Sequence, residues 1–171
     1  LRAEMVSAIC RHVGRDEVPI HIGADRPWLI ESRQPKAPQA AALGDWPRNK
    51  KYAPATAIEF LRQTIRANPG EITLLAIGPL TNVALLFSAD PEIPALLKDL
   101  VLMGGAFFDR NYAEWNIPND PHAAAVVYGE GPQARPARHV SYGLDVTTKC
   151  TMVPQECRKK FTAKALQPVR D

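Results

Sequence analysis

The chain has 171 residues, 46% of them hydrophobic and 23% charged, which suits one domain with a buried core. A formal net charge of +3, with basic residues scattered apart from Arg48, Lys50, Lys51 and the pair Lys159-Lys160, argues for solvated surface and against nucleic-acid binding. No apolar run approaches the roughly 20 residues that cross a bilayer, and Cys10, Cys150 and Cys157 lack metal-like spacing and read as reduced thiols.

Leu1 to Val13 carries an apolar stripe at Leu1, Met5, Val6, Ile9, Cys10 and Val13, which predicts a helix stopped at Gly14. No leader precedes that helix, so a cytoplasmic location is expected. Val18 to Gly23 (VPIHIG) predicts a short strand with Pro19 near its start. From Ala24 to Ala53 periodicity fails, with prolines throughout and Gly44-Asp45-Trp46 in the middle. Such a run is a binding loop or a poorly ordered one, and Trp46 either covers a ligand or anchors the loop.

Ala57, Ile58, Leu61 and Ile65 mark a second helix, ended by Asn68-Pro69-Gly70. Ile72 to Ile77 and Leu100 to Met103 are continuous apolar runs, the pattern of parallel strands buried on both faces. Gly78 follows the first, Gly104-Gly105 the second. Between them lie a helix after Gly78-Pro79-Leu80-Thr81-Asn82, capped by Thr81 or Asn82, and a short one over Pro91 to Leu97, capped by Asp90. Asp120-Pro121 starts a helix by the same logic. Val140 to Val146 predicts a further strand, and Pro154 to Ala165 a basic helix. The alternation predicts an α/β fold, an open, mostly parallel sheet with helices on both faces.

In such a sheet ligands bind beyond the carboxyl ends of the strands. Thr81 and Asn82 stand there after the first run; Asp109, Asn111, Glu114 and Asn116 stand there after the second. The GPLTN turn either caps a helix or aims a backbone carbonyl at a hard cation such as Ca²⁺. In Glu114-Trp115-Asn116 an extended backbone would set a carboxylate and a carboxamide on one side, which suits a polyhydroxylated ligand. The alternative is a loop whose polar groups cap the next helix. The histidines are isolated, and neither a P-loop nor GxGxxG occurs.

The stretches ITLLAIGPLTNVAL, LVLMGGAF, AEWNIPNDPHAA and YGLDVT, in this order, resemble the inosine-uridine preferring nucleoside hydrolase family. The resemblance covers most of residues 1 to about 148. It implies cleavage of the N-glycosidic bond of ribonucleosides by water, as in nucleoside salvage, by a homo-oligomer (dimer or tetramer). A Ca²⁺ would hold the attacking water and the ribose 2′ and 3′ hydroxyls. Carried over by motif, Thr81 gives the ion a backbone carbonyl. Glu114, Trp115 and Asn116 line the ribose, Met103 sits under it and Asn111 touches it.

The family's aspartate-rich DxDxxxDD stretch, source of most Ca²⁺ ligands and the catalytic base, and its later His-Asp element are absent from this sequence. The chain is therefore expected to be one partial domain over residues 1–171, inactive alone. The competing readings are a non-catalytic nucleoside- or ribose-binding module of the same fold, and a flavodoxin-type nucleotide-binding domain. The last needs a phosphate loop, and the proline of GPLTN removes a donor such a loop would use.

Overall fold

The computed structural model describes residues 1–33, 36–108, 114–129, 136 and 138–166. In chain order the helices and strands are α1 (Arg2–His12), α2 (Ala57–Ala67), β1 (Thr73–Ala76), α3 (Thr81–Ala89), α4 (Ile93–Leu96), β2 (Asp99–Met103), α5 (Asn116–Asn119), α6 (Pro121–Val127), β3 (His139–Tyr142), α7 (Leu144–Thr147) and α8 (Pro154–Lys160). They belong to two compact units: 1–20 with 36–52 and 148–171, and 21–35 with 53–147.

The first unit holds α1 and α8. Gly14, at φ +71°, ends α1 in a conformation glycine adopts without strain. The proline-rich segment of this unit forms only a 3-10 turn, Pro38–Leu43. Arg48 ties it to α1 through Glu4 (3.1 Å), and the Trp46 ring lies over His12 with centroids 5.0 Å apart. Trp46 therefore anchors its loop to α1.

The second unit is built on a parallel sheet in the order β1-β2-β3. Register sets Leu74, Leu100 and His139 on one face, with Ala76, Leu102 and Ser141 beside them. Against that face pack Ile65 of α2, Val83, Leu86 and Phe87 of α3, and Ala123 and Val127 of α6. Ile65, Leu86, Phe87, Leu100 and Leu102 are almost wholly buried, each worth about 1.5–3 kcal/mol by burial. The other face is different. Leu75 is 62% exposed, Tyr142 50%, and Ile77, just past β1, 71%. The apolar runs predict burial on both faces; the helices described in this unit cover one.

Four local expectations are corrected. Residues 18–23 form no strand: Pro19 offers no N–H, and Ile22 O accepts from Ala57 N, at the start of α2, rather than from a neighbouring strand. The strand expected over 140–146 ends at Tyr142, because Leu144 N turns back to Gly105 O (2.8 Å) and begins α7. Neither Thr81 nor Asn82 caps α3, whose N-cap is Leu80. Asp90 does not cap the next helix either: α4 starts later, after Glu92, and Asp90 pairs with Arg66.

That pair joins α2 to the end of α3. Arg66 Nε and Nη2 donate to the two Asp90 oxygens at 2.6 and 2.7 Å, a bidentate geometry. The Arg66 guanidinium holds the Asp90 carboxyl below the usual carboxylate range. A lowered folded-state pKa contributes stability above the unfolded carboxyl's pKa of about 3.9, lost as pH falls through the folded value. Asp90→Asn is therefore expected to lower stability at neutral pH and to flatten the loss of stability below about pH 4, read by thermal melts from pH 7 to 2.

Candidate sugar-binding site

Four of the predicted residues, Met103, Glu114, Trp115 and Asn116, meet at the carboxyl end of β2. Its last residue is Met103, followed by Gly104 and Gly105. Asn116 starts α5, is 8% exposed, and donates from Nδ2 to the Met103 carbonyl at 2.8 Å; the Met103 sulfur lies 3.3 Å from the same nitrogen. A Cβ at Gly104 would meet Asn116 Cβ at 3.7 Å and Ile117 Cδ1 at 3.4 Å, ordinary van der Waals contact, so α5 packs directly against the end of β2.

Glu114 does not share one side of an extended strand with Asn116. Trp115 is helical in backbone (φ −106°, ψ −41°), and Glu114 folds onto the helix start. Its two oxygens accept from Asn116 N at 2.6 Å and Ile117 N at 2.8 Å. These amides would otherwise lack partners at a helix N-terminus, and a carboxylate is favoured there. Glu114 therefore caps α5, while Asp120 caps α6 through Ala123 N (3.0 Å), as the Asp-Pro pair predicts. Trp115 is 49% exposed, and its carbonyl accepts from Asn119 Nδ2 at 2.7 Å. Asn111 lies outside the described residues, as does Asp109.

Thr81 is the first residue of α3 and 5% exposed. Its hydroxyl donates to Asp120 Oδ2 at 2.7 Å. Asp120, wholly buried, also accepts from Trp28 N at 3.1 Å. One carboxylate thus joins the 24–28 segment, α3 and α6. Asn82 makes a parallel link: its Oδ1 accepts from Ala24 N at 2.7 Å, and any Cβ on Gly23 would overlap that amide. Asp120 was legible only as a cap. Its two distant partners carry no sequence signal.

The Thr81 hydroxyl is thus engaged, and its carbonyl, in the first turn of α3, accepts a bond of the helix itself. Ca²⁺ takes about 6–8 oxygens. Among the described residues no group of three or more His, Cys, Asp or Glu side chains could hold a metal ion. These residues do not fit a complete Ca²⁺ site.

An open pocket of about 490 Å³ lies beside β3, lined by Phe107, Phe108, Tyr128, His139, Ser141, Gly143 and Val146. Ser141 Oγ bridges Tyr128 Oη at 2.9 Å and His139 Nε2 at 3.1 Å. Burial pushes the His139 imidazole below its ordinary pKa, which favours the neutral ring near pH 7. Among the described residues, none of those predicted for the sugar lines this pocket.

A family profile described as inosine-uridine preferring nucleoside hydrolase matches residues 2–170. Uridine nucleosidase 1 of Arabidopsis thaliana is 34% identical over 152 residues, covering 82% of this chain and 43% of the relative. The pyrimidine-specific ribonucleoside hydrolase RihA of Citrobacter koseri is 34% identical over 158 residues, covering 88% and 49%. Among solved structures, a purine-preferring ribonucleoside hydrolase from Gardnerella vaginalis superposes with a TM-score of 0.76 at 25% identity, covering 94% of this chain and 54% of that one. A plant nucleoside hydrolase, the PpNRh1 enzyme, gives 0.72 at 27% identity, covering 91% and 50%. The chain spans about half the length of the curated relatives it matches.

Proposed function

The chain belongs to the inosine-uridine preferring nucleoside hydrolase family, and on that premise we propose that it supplies the ribose-holding part of a ribonucleoside hydrolase domain. The observation that supports the reading is the bond between two motifs singled out for the sugar: Asn116 Nδ2 to the Met103 carbonyl, at the carboxyl end of a parallel strand.

That bond fixes the Asn116 amide, leaving its Oδ1 to accept from a ribose hydroxyl. Glu114 spends one lone pair of each oxygen on α5 and keeps others for a second hydroxyl. Trp115 offers an indole face at the rim, Met103 lies beneath the sugar, and Asn111 adds a contact. Holding the ribose in this way spends binding energy remote from the bond that breaks, on its orientation. The names of the relatives differ in base, so the proposal is confined to ribonucleosides.

The ion implied by the family is Ca²⁺, which would lower the pKa of a bound water and fix its line of attack. Thr81 would give it one carbonyl. The whole protein is proposed to be a homo-oligomer. No helix among the described residues is long and apolar enough to cross a membrane.

Incubated with inosine, uridine or a chromogenic riboside plus Ca²⁺, the isolated chain is expected to release no ribose above a heat-killed control. Turnover would defeat the view that the donor set is incomplete. An intact protein carrying this chain is expected to release ribose. Binding without release would mark a non-catalytic module, and no binding would overturn the sugar site.

A further inference from the structure

We propose that Asp145 is a positioning residue for the sugar site: its carboxylate holds the loop that leaves β2, and through that loop the Met103 carbonyl that orients Asn116. The proposal rests on the ribose-holding reading of Met103 and Asn116.

Asp145 is 4% exposed. Its Oδ1 accepts from Phe107 N at 3.1 Å. The contact is one of a series. Gly104 N donates to Tyr142 O at 3.1 Å, and Leu144 N donates to Gly105 O at 2.8 Å. The segment 104–107 is thus bonded along its length to 142–145. Gly143 makes the approach possible: a Cβ there would overlap Asp145 Oδ1 and stand 2.8 Å from Phe107 Cδ2 and 3.2 Å from Gly105 O. Gly105 turns the loop at φ +82°, open to glycine at no steric cost.

The second carboxylate oxygen, Oδ2, is buried and has no hydrogen-bond partner among the described residues. Burying an unpaired polar oxygen is costly. The cost is offset where the other oxygen makes a charge-assisted bond, stronger than a neutral acceptor would make, to an amide whose position matters. The Phe107 amide is that amide. It lies four residues past Met103, on the loop whose path sets the carbonyl that Asn116 uses.

The test compares wild type, Asp145→Ala and Asp145→Asn in the intact protein. It reads kcat, KM and hydrogen exchange at the Phe107 amide. Asp145→Ala is expected to speed exchange at Phe107 by about tenfold or more, as loss of one buried bond to a charged acceptor predicts. It is expected to lower kcat by a similar factor with KM within about threefold, because misplacement acts on orientation. Asp145→Asn keeps an acceptor for Phe107 N–H, weaker than the carboxylate, and is expected to recover part of both. If Asp145→Ala is not recovered folded, Gly143→Ala, which crowds the same contact, is expected to give the same split. Unchanged exchange and kcat in Asp145→Ala overturn the proposal, as does an Asn variant as impaired as the Ala variant. If wild type neither binds nor cleaves a nucleoside, the ribose reading falls by itself, and Phe107 exchange alone still decides whether Asp145 holds the loop.

Discussion

Replacing Asn116 with Ala is expected to lower kcat/KM of the intact protein by about tenfold to a hundredfold, with kcat falling, and further than Trp46→Ala. Two losses combine. The Met103 carbonyl at the end of β2 loses the Nδ2 donor that lies 2.8 Å away. The sugar loses the carboxamide oxygen proposed for it. Asn116 is buried, so each stranded polar partner costs about 1–3 kcal/mol, and 1.4 kcal/mol is a factor of ten in rate. Orientation of the ribose is needed in the transition state, which puts the loss in kcat. Trp46 belongs to the other unit, where its ring rests on His12 and its carbonyl accepts from Arg48 at 3.0 Å. Its removal loosens a loop and is expected to act mainly on KM. Steady-state kinetics on both variants decide the order. An Asn116→Ala protein that behaves like wild type removes the sugar-site assignment.

Asp120→Ala is expected to have the largest effect on stability, of order 4 kcal/mol, from the loss of a cap and of two further buried bonds. The carboxylate is wholly buried and accepts from Thr81 Oγ1, Trp28 N and Ala123 N. Alanine satisfies none of them, and the methyl group leaves space at the junction of three segments. Against a typical total of about 5–15 kcal/mol, that is a large fraction of the stability. Asp120→Asn is expected to be milder. Its oxygen can keep Ala123 N, and the Thr81 hydroxyl can rotate to accept from the new amide, so that only Trp28 N–H is stranded. Urea melts of the two variants give the comparison. Equal losses would mean that the charge matters, and not the count of donors served.

Much of the architecture was legible because it follows from short-range rules. The stripe at Ile58, Leu61 and Ile65 foretells α2, and the strands at 73–76 and 99–103 follow from apolar runs bounded by turn residues. Asp120-Pro121 foretells the start of α6 with its cap bond. The motif stretches pointed to the family, and the family profile bears that out.

Sequence alone therefore determined the parallel α/β alternation, most helix starts and the family, since each is written in residues a few positions apart. Tertiary structure decided where the polar groups went. Thr81 reads locally as a cap, yet its hydroxyl finds Asp120, 39 positions on, and the same carboxylate reaches back 92 positions to Trp28 N. Glu114 reads as a partner of Asn116 on an extended segment, yet the chain turns helical at Trp115 and the carboxylate caps α5. Asp145 reads as part of a strand, yet Gly143 lets β2's loop come close enough to claim it. A carboxylate or hydroxyl accepts from any donor in reach, and which donors are in reach is set by packing between distant segments.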